Sequence, residues 1–256
     1  MAKHMYLHTS KIPAIVFAVF LLFSCGGNEA EPTVSLIEPV LYRSERIRTT
    51  IDPNLPMIAV TFDDGPHSER TEQILDTLEG TDARVTFFVL GENFHGNEDI
   101  IRRAFEMGHE IVGHTYAHYD LQLEPRETVI YEMQKSFYMI YELLGYSPRL
   151  FRPPYGHMGG YVIDVAYEYG FPIIGWNIDT LDWYYRCAEH TARYMIDNAT
   201  NRAIILAHDT VRMTPDSMEY AIPVLIEMGF QLVTVSELFY HSGILLRPGM
   251  VYSNAW

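Results

Sequence analysis

The sequence predicts an α/β protein, a distorted or incomplete (β/α) barrel with about seven parallel strands. Three observations carry that prediction. From Met57 onward, short β-branched and aromatic runs alternate with amphipathic stretches, the pattern of βα units rather than of a sandwich or a helix bundle. A composition of 48% hydrophobic and 20% charged residues, over 256 positions, belongs to a chain that buries one sizeable core. Polar residues with chemical capability recur directly after the apolar runs, where the loops of such folds converge on one mouth. A doubly wound open sheet shares this one-dimensional signature, and no internal repeat separates the two.

The expected strands are Met57 to Phe62, Arg84 to Leu90, Glu110 to Gly113, Arg149 to Arg152, Pro172 to Asn177, Ala203 to Ala207 and Gln231 to Val235. The clearest helix runs from Glu124 to Leu144, because Val129, Met133, Phe137, Ile140 and Leu144 recur every three or four residues and so share one face. Gly145 stops it. Further helices are expected to begin near Ser68, whose hydroxyl can cap, and near Asn97, Tyr161, Glu189 and Pro215.

Ahead of these elements, Lys3 and Lys11 flank an apolar run from Ile12 to Phe23 that ends in Leu22-Phe23-Ser24-Cys25. That run is too short to span a bilayer, which needs about 20 residues. It resembles a bacterial lipoprotein signal, with cleavage before Cys25 and lipidation of that residue anchoring an exported protein to a membrane of the cell envelope. Simple cleavage and secretion of a soluble protein is the alternative. Residues 26–56, rich in Gly, Glu, Pro, Ser and Thr, read as a tether and irregular lead-in. Cys187 is expected to be an unpaired thiol. With 33 acidic against 18 basic residues and no basic cluster, the chain lacks the electrostatic footprint of a nucleic-acid binder.

Five strand ends carry polar groups: Asp63-Asp64-Gly65-Pro66, His114-Thr115-Tyr116-Ala117-His118, Arg152-Pro153-Pro154-Tyr155, Asp179-Thr180-Leu181-Asp182-Trp183 and His208-Asp209. Two histidines four residues apart can bring both imidazoles to one side of a helical turn and share a metal, and a carboxylate from Asp63 or Asp64 would complete a facial set with open positions. Taken singly, each has an ordinary reading: turn carboxylates, a surface ion pair, core aromatics, a histidine satisfied at a strand end. Two carboxylates directly after an apolar strand are costly without compensation, and a cation offsets that cost.

In this order, Thr61-Phe62-Asp63-Asp64-Gly65-Pro66, His-Thr-x-x-His, Arg-Pro-Pro-Tyr, Asp-x-x-Asp-Trp and Leu206-Ala207-His208 resemble the five motifs of the polysaccharide deacetylases, the NodB-homology enzymes of carbohydrate esterase family four. The match covers roughly Met57 to Tyr240, and with the N-terminal reading above it gives a domain plan of signal peptide (1–24), tether and lead-in (25–56), catalytic domain (57–245) and C-terminal tail (246–256). The resemblance implies a single divalent metal, usually zinc with cobalt, manganese or nickel as substitutes, held by Asp64, His114 and His118. Asp63 would be the general base and Arg152 its holder, while Tyr155 would offer a backbone N–H to the oxyanion. His208 would be the general acid oriented by Asp179. Leu206 and Trp183 would line the acetyl pocket, with Asp182 also assigned to substrate binding. The other histidines match no ligand position. Tyr116, Tyr119, Tyr184 and Tyr185 fall near the expected mouth, where they can stack on sugar rings.

These expectations describe removal of N-acetyl groups from N-acetylglucosamine in peptidoglycan or a chitin-like polymer, by a protein expected to be monomeric. The alternatives are an O-acetyl polysaccharide esterase of the acetylxylan type, a non-catalytic glycan-binding lipoprotein on the same fold, and a non-haem iron oxygenase using the same ligand set.

Overall fold

A computed structural model describes residues 46–256; the expected signal peptide, Cys25 and most of the expected tether lie outside the described residues. The wall of the barrel is built outward from β1 (Met57–Asp63). All of β1 after Met57 pairs in parallel with β6 (Ala203–His208) on one side. The other side is divided: β7 (Gln231–Leu232) takes Met57 and Ile58, and β2 (Thr86–Val89) takes Thr61 to Asp63. β3 (Glu110–Gly113) continues the sheet from β2. Single parallel bridges, Gly113 to Phe151 and Phe151 to Ile173, then carry the wall to β4 (Ile173–Ile174). β5 (Ile178–Asp179) returns to β6, which brings the wall back to its start.

Several expectations are corrected here. The strand expected at Arg149 to Arg152 contributes one bridging residue, Phe151. Of the run from Pro172 to Asn177 only Ile173–Ile174 forms a strand, and β5 lies just past its end, because the chain changes neighbours between them: the Gly175 N–H donates to Tyr252 and the Asn177 N–H to Ile204. The residues read as a C-terminal tail form β8 (Val251–Tyr252), paired with β4, and the Ala255 N–H donates to the Arg202 carbonyl. Order also begins before Met57: the Arg48 guanidinium pairs with Glu237 at 2.8 Å through Nε and through Nη2, and donates to the Leu232 carbonyl at 3.0 Å.

The helices are α1 (Arg70–Leu78), α2 (Glu98–Glu106), α3 (Arg126–Leu144), α4 (Val162–Glu168), the single turn α5 (Asp182–Tyr185), α6 (Ala188–Asn198), α7 (Thr214–Glu227) and α8 (Val235–His241). Gly145 ends α3 at φ 63°, a left-handed position that suits a residue without Cβ. Ser68 is not the cap of α1; Glu69 occupies that position without a side-chain cap. Val235, expected to end a strand, instead opens α8, because Thr234 and Glu237 form a reciprocal capping box.

Alternation along β1 sorts its residues into two layers. Ile58, Val60 and Phe62 pack outward with Ile74, Leu75, Met195, Met218 and Ile222 of the helices. Met57 and Ala59 face the interior with Phe88, Val112, Ile174, Ile204 and Val233. Complete burial of a large aliphatic or aromatic side chain contributes roughly 1.5–3 kcal/mol. With period two, Thr61 and Asp63 follow Ala59 inward, as His114 follows Val112 and His208 follows Ile204 and Leu206. The interior therefore turns from apolar to polar towards the C-terminal ends of the strands.

Candidate active site

Asp63 ends β1 inside the barrel and is almost fully buried. Its charge is met by Arg152, which has no exposed surface and whose Nη1 donates to Asp63 Oδ1 at 2.6 Å and to Thr61 Oγ1 at 2.8 Å. Two further donors are spent: Nε reaches the Ile174 carbonyl at 3.1 Å and Nη2 the Gly175 carbonyl at 3.0 Å. The guanidinium lies over the Phe88 ring, 3.9 Å from its centroid. A side chain fixed on so many sides leaves Asp63 one orientation, with Oδ2 directed to within 3.7 Å of His114 Nε2.

Asp64 turns away from Asp63 because its backbone is left-handed, at φ 76°. Asn93 Nδ2 donates to its carbonyl at 2.8 Å, and the Leu90 N–H donates to the Gly65 carbonyl at 2.9 Å, tying this turn to the loop after β2. Gly65 is required by a close approach: a Cβ there would lie 2.0 Å from Asp209 Oδ2. Asp209, which sequence reasoning left without a role, is fully buried and accepts from Thr71 Oγ1 at 2.6 Å, and burial pushes its carboxyl up to about 7. The signal that could have found it is its place directly after His208.

Asp64, His114 and His118 bring one ligand atom each within 4.8 Å of the others. Asp64 Oδ1 is buried and makes no hydrogen bond, although His118 Nε2 is 3.1 Å and His114 Nε2 is 3.6 Å away. An anionic oxygen left unsatisfied between two imidazole nitrogens fits a divalent cation. The tautomer of His114 fits as well. Its Nδ1 lies 2.8 Å from the Arg152 carbonyl, which can only accept, so Nδ1 carries the proton and Nε2 keeps its lone pair. Burial lowers the His114 pKa and keeps it neutral. Burial alone would raise the Asp64 pKa, but the adjacent imidazoles of His118 and His114 hold it down to about 2.

His208 ends β6 opposite Asp63; the two are register partners on adjacent parallel strands. Here the expectation for Asp179 is corrected. The carboxylate bonded to His208 is Asp182: Oδ1 lies 2.8 Å from the ring Nδ1, and Oδ2 accepts the His208 N–H at 2.8 Å. Thr214 Oγ1 donates to the same Oδ2 at 2.6 Å. Leu181, left-handed at φ 53°, breaks the chain after β5 and starts α5, which turns Asp182 back towards β6. Asp179 Oδ1 instead accepts the Leu181 N–H at 2.9 Å. Asp182 is 1% exposed, so it supports His208 rather than meeting substrate. Burial opposes protonation of His208, yet the hydrogen bond and charge of Asp182, with the charges of Asp63 and Asp64, raise its pKa to about 9.

Tyr155, at φ 60°, sets its exposed ring edge-on to His118 with centroids 4.7 Å apart. Leu206 is buried on the inward face of β6. Trp183 is half-exposed on α5, where its ring meets Tyr184. Tyr119, Tyr184 and Tyr185 are exposed, and Tyr116 is partly so.

A barrel of this topology with these strand-end groups has counterparts of known class. The family profile described as polysaccharide deacetylase matches residues 50–174. The chain is 37% identical over 195 residues to the peptidoglycan-N-acetylglucosamine deacetylase PgdA of Listeria monocytogenes, covering 76% of this chain. It spans 41% of the length of that protein. The solved structure of the peptidoglycan deacetylase PdaC from Bacillus subtilis is similar at TM-score 0.72 and 32% identity, over 75% of this chain and 94% of that one. A family 4 acetyl xylan esterase from Clostridium thermocellum, solved with a cobalt ion, is similar at TM-score 0.72 and 28% identity, over 77% of this chain and 98% of that one. The chain belongs to the polysaccharide deacetylase family.

Proposed function

We propose that this protein hydrolyses N-acetyl groups on N-acetylglucosamine residues of an envelope glycan, peptidoglycan or a chitin-like polymer, releasing acetate. The observation that carries this reading is a division of labour. Asp64, His114 and His118 converge as a ligand set, while Asp63 and His208 are held off it by their own partners, Arg152 and Asp182. Pure glycan binding needs neither of those two held groups.

A divalent cation, zinc or in its place cobalt, manganese or nickel, supplies the electrophilic polarisation and the acidified water that an acetamide requires near neutral pH. Asp63 takes the proton of the attacking water, and Arg152 keeps that carboxylate aimed. The backbone N–H of Tyr155 donates to the developing oxyanion, a contribution of about 3 to 4 kcal/mol for one such donor. His208 enters protonated and gives its proton to the departing amine, which leaves badly as an anion. Leu206 and Trp183 shape the recess for the acetyl methyl, and the exposed tyrosines at the mouth offer stacking faces for neighbouring sugars.

The O-acetyl ester reading has one observation in its favour, the likeness to the Clostridium acetyl xylan esterase. Acetate release from chitin oligomers, purified peptidoglycan and acetylated xylan, with chelator-stripped, zinc-restored and Asp63→Asn samples in parallel, separates the two. Release from the first two substrates that needs both metal and Asp63 supports the amide reaction; release from xylan alone overturns it.

We further propose export and anchoring through a lipidated Cys25, on the strength of the basic flank and apolar run of residues 3–25. Among the described residues no helix is long and apolar enough to cross a membrane. Metabolic labelling with a palmitate analogue, lost in Cys25→Ser, tests the anchor; a monomer is expected by light scattering.

A further inference from the structure

The chain must turn sharply between the two histidines of the ligand set, and it does so through unusual backbone. Thr115 at φ 75° and His118 at φ 58° are both left-handed, although neither is glycine. Such conformations persist only where surrounding contacts over-determine them. One of these is local: the His118 N–H donates to Thr115 Oγ1 at 3.1 Å. The others come from far along the chain. The N–H groups of Tyr116 and Ala117 converge on a single oxygen, Glu132 Oε2, at 3.0 and 2.7 Å.

Glu132 belongs to α3 and is 1% exposed. Among the described residues no lysine, arginine or histidine forms an ion pair with it; nearby Lys135 is committed to the Tyr131 hydroxyl and the Tyr116 ring. A buried carboxylate without a cation is costly unless hydrogen-bonded. The two amides supply those bonds. One turn further along α3, Ser136 meets β3 so closely that a Cβ on Gly113 would lie 2.7 Å from its Oγ. The helix is thus locked to the strand just ahead of the loop it holds.

We propose that Glu132 is a positioning residue for the His114–His118 pair, fixing from α3 the loop that sets the separation and aim of the two imidazoles, so that metal affinity depends on a side chain that is not a ligand. This rests on the metal-site reading given above. The requirement is for an acceptor at that point rather than for a negative charge, because a glutamine carbonyl can receive the same two N–H groups.

The test uses the full chain, stripped with chelator and titrated with zinc against a chromophoric competitor, and cobalt substitution as a spectroscopic readout. Glu132→Ala is expected to weaken zinc binding by about 10 to 100-fold and to alter the visible cobalt absorption. Glu132→Gln is expected to stay within about threefold of the parent. Thermal melts of the zinc-free proteins locate a temperature at which each variant is folded, and affinities are compared there. Should Glu132→Ala fail to fold, Glu132→Asp, which draws the acceptor back by one methylene, carries the comparison, with an intermediate loss expected.

A folded Glu132→Ala protein with unchanged zinc affinity and an unchanged cobalt spectrum would overturn the inference and reduce Glu132 to a stabilising residue. Equal losses in Glu132→Gln and Glu132→Ala would also overturn it, by showing that charge rather than positioning matters. A parent protein that binds neither zinc nor cobalt would sink the metal-site reading itself, and this inference with it.

Discussion

Asp182 holds His208 at two points: one carboxylate oxygen lies 2.8 Å from the ring Nδ1 and the other accepts the backbone N–H of the same residue, also at 2.8 Å. The ring and the strand end that carries it are therefore fixed by one side chain. Asp182→Asn removes the charge that supports protonation, so the His208 pKa should fall from about 9 towards its ordinary value. The alkaline limb of the rate profile should then move to lower pH, with a loss of about 10² to 10⁴-fold in kcat on N-acetyl substrates. Asp179→Asn should cost much less. NMR titration of His208 beside pH–rate profiles of both variants checks the assignment; equal effects of the two would refute it.

The same raised pKa makes stability depend on pH. The folded metal-free protein holds the His208 proton more tightly than the unfolded chain does, whose histidines titrate near 6.5. The stabilisation is complete below that unfolded value and is lost as pH rises through about 9. Urea midpoints of the metal-free protein should decline across this window, and the decline should be blunted in His208→Gln.

Gly65→Ala places a methyl 2.0 Å from Asp209 Oδ2, inside a packed turn that also carries Asp64. Overpacking of this kind costs about 1–3 kcal/mol. Denaturant unfolding should register that loss, and zinc affinity should fall with it because the ligand turn must shift.

Arg152→Met should be among the most damaging single changes. It leaves Asp63 buried without its cation and strips the donors from the Ile174 and Gly175 carbonyls. Breaking a buried pair by removing one partner costs about 3–5 kcal/mol. Equilibrium unfolding measures it, and the double variant Arg152→Met with Asp63→Leu should recover part of the loss.

Removal of residues 246–256 should abolish cooperative folding rather than trim a loose end. That segment supplies β8 to β4, buries Ala255 and ties Trp256 Nε1 to the Asn201 carbonyl at 2.9 Å. Circular dichroism and limited proteolysis of the truncated chain check this; a truncated protein that melts like the parent contradicts it.

What the sequence made legible follows from what side-chain patterns encode. β1 and β6 were readable because each is a buried apolar run ending in a polar group, β3 because a short buried run leads into His114, and α3 because its apolar row has helical spacing. The strand expected at Pro172 to Asn177 was too long at β4 and stopped short of β5, because a chain that changes neighbours in mid-course shows no change of composition there. β8 is two residues long, and its partner lies far back in the chain, so nothing local marks it. Asp179 was read as the partner of His208 in place of Asp182 because both sit in one short motif, and the left-handed Leu181 that decides between them has no compositional signal. Glu132 and Ser136 were a missed signal: two polar residues on the buried face of α3, beside an otherwise apolar row. The Thr234 and Glu237 capping box was another, readable three residues apart in the sequence.

The register that pairs Asp63 with His208 across β1 and β6 makes the sheet a ruler for the chemistry. Neighbouring strands stand about 4.8 Å apart whatever the loops above them do. The Asp63 carboxylate and the His208 imidazole therefore inherit their separation from backbone hydrogen bonds, not from the exposed side chains at the mouth. Exchanging the exposed rings of Tyr119 or Tyr184 leaves that spacing unchanged as long as the backbone carrying His118 and Asp182 keeps its course. A one-residue insertion inside β1 or β6 has the opposite character: it would rotate one of the two groups to the helix-covered face and part the pair.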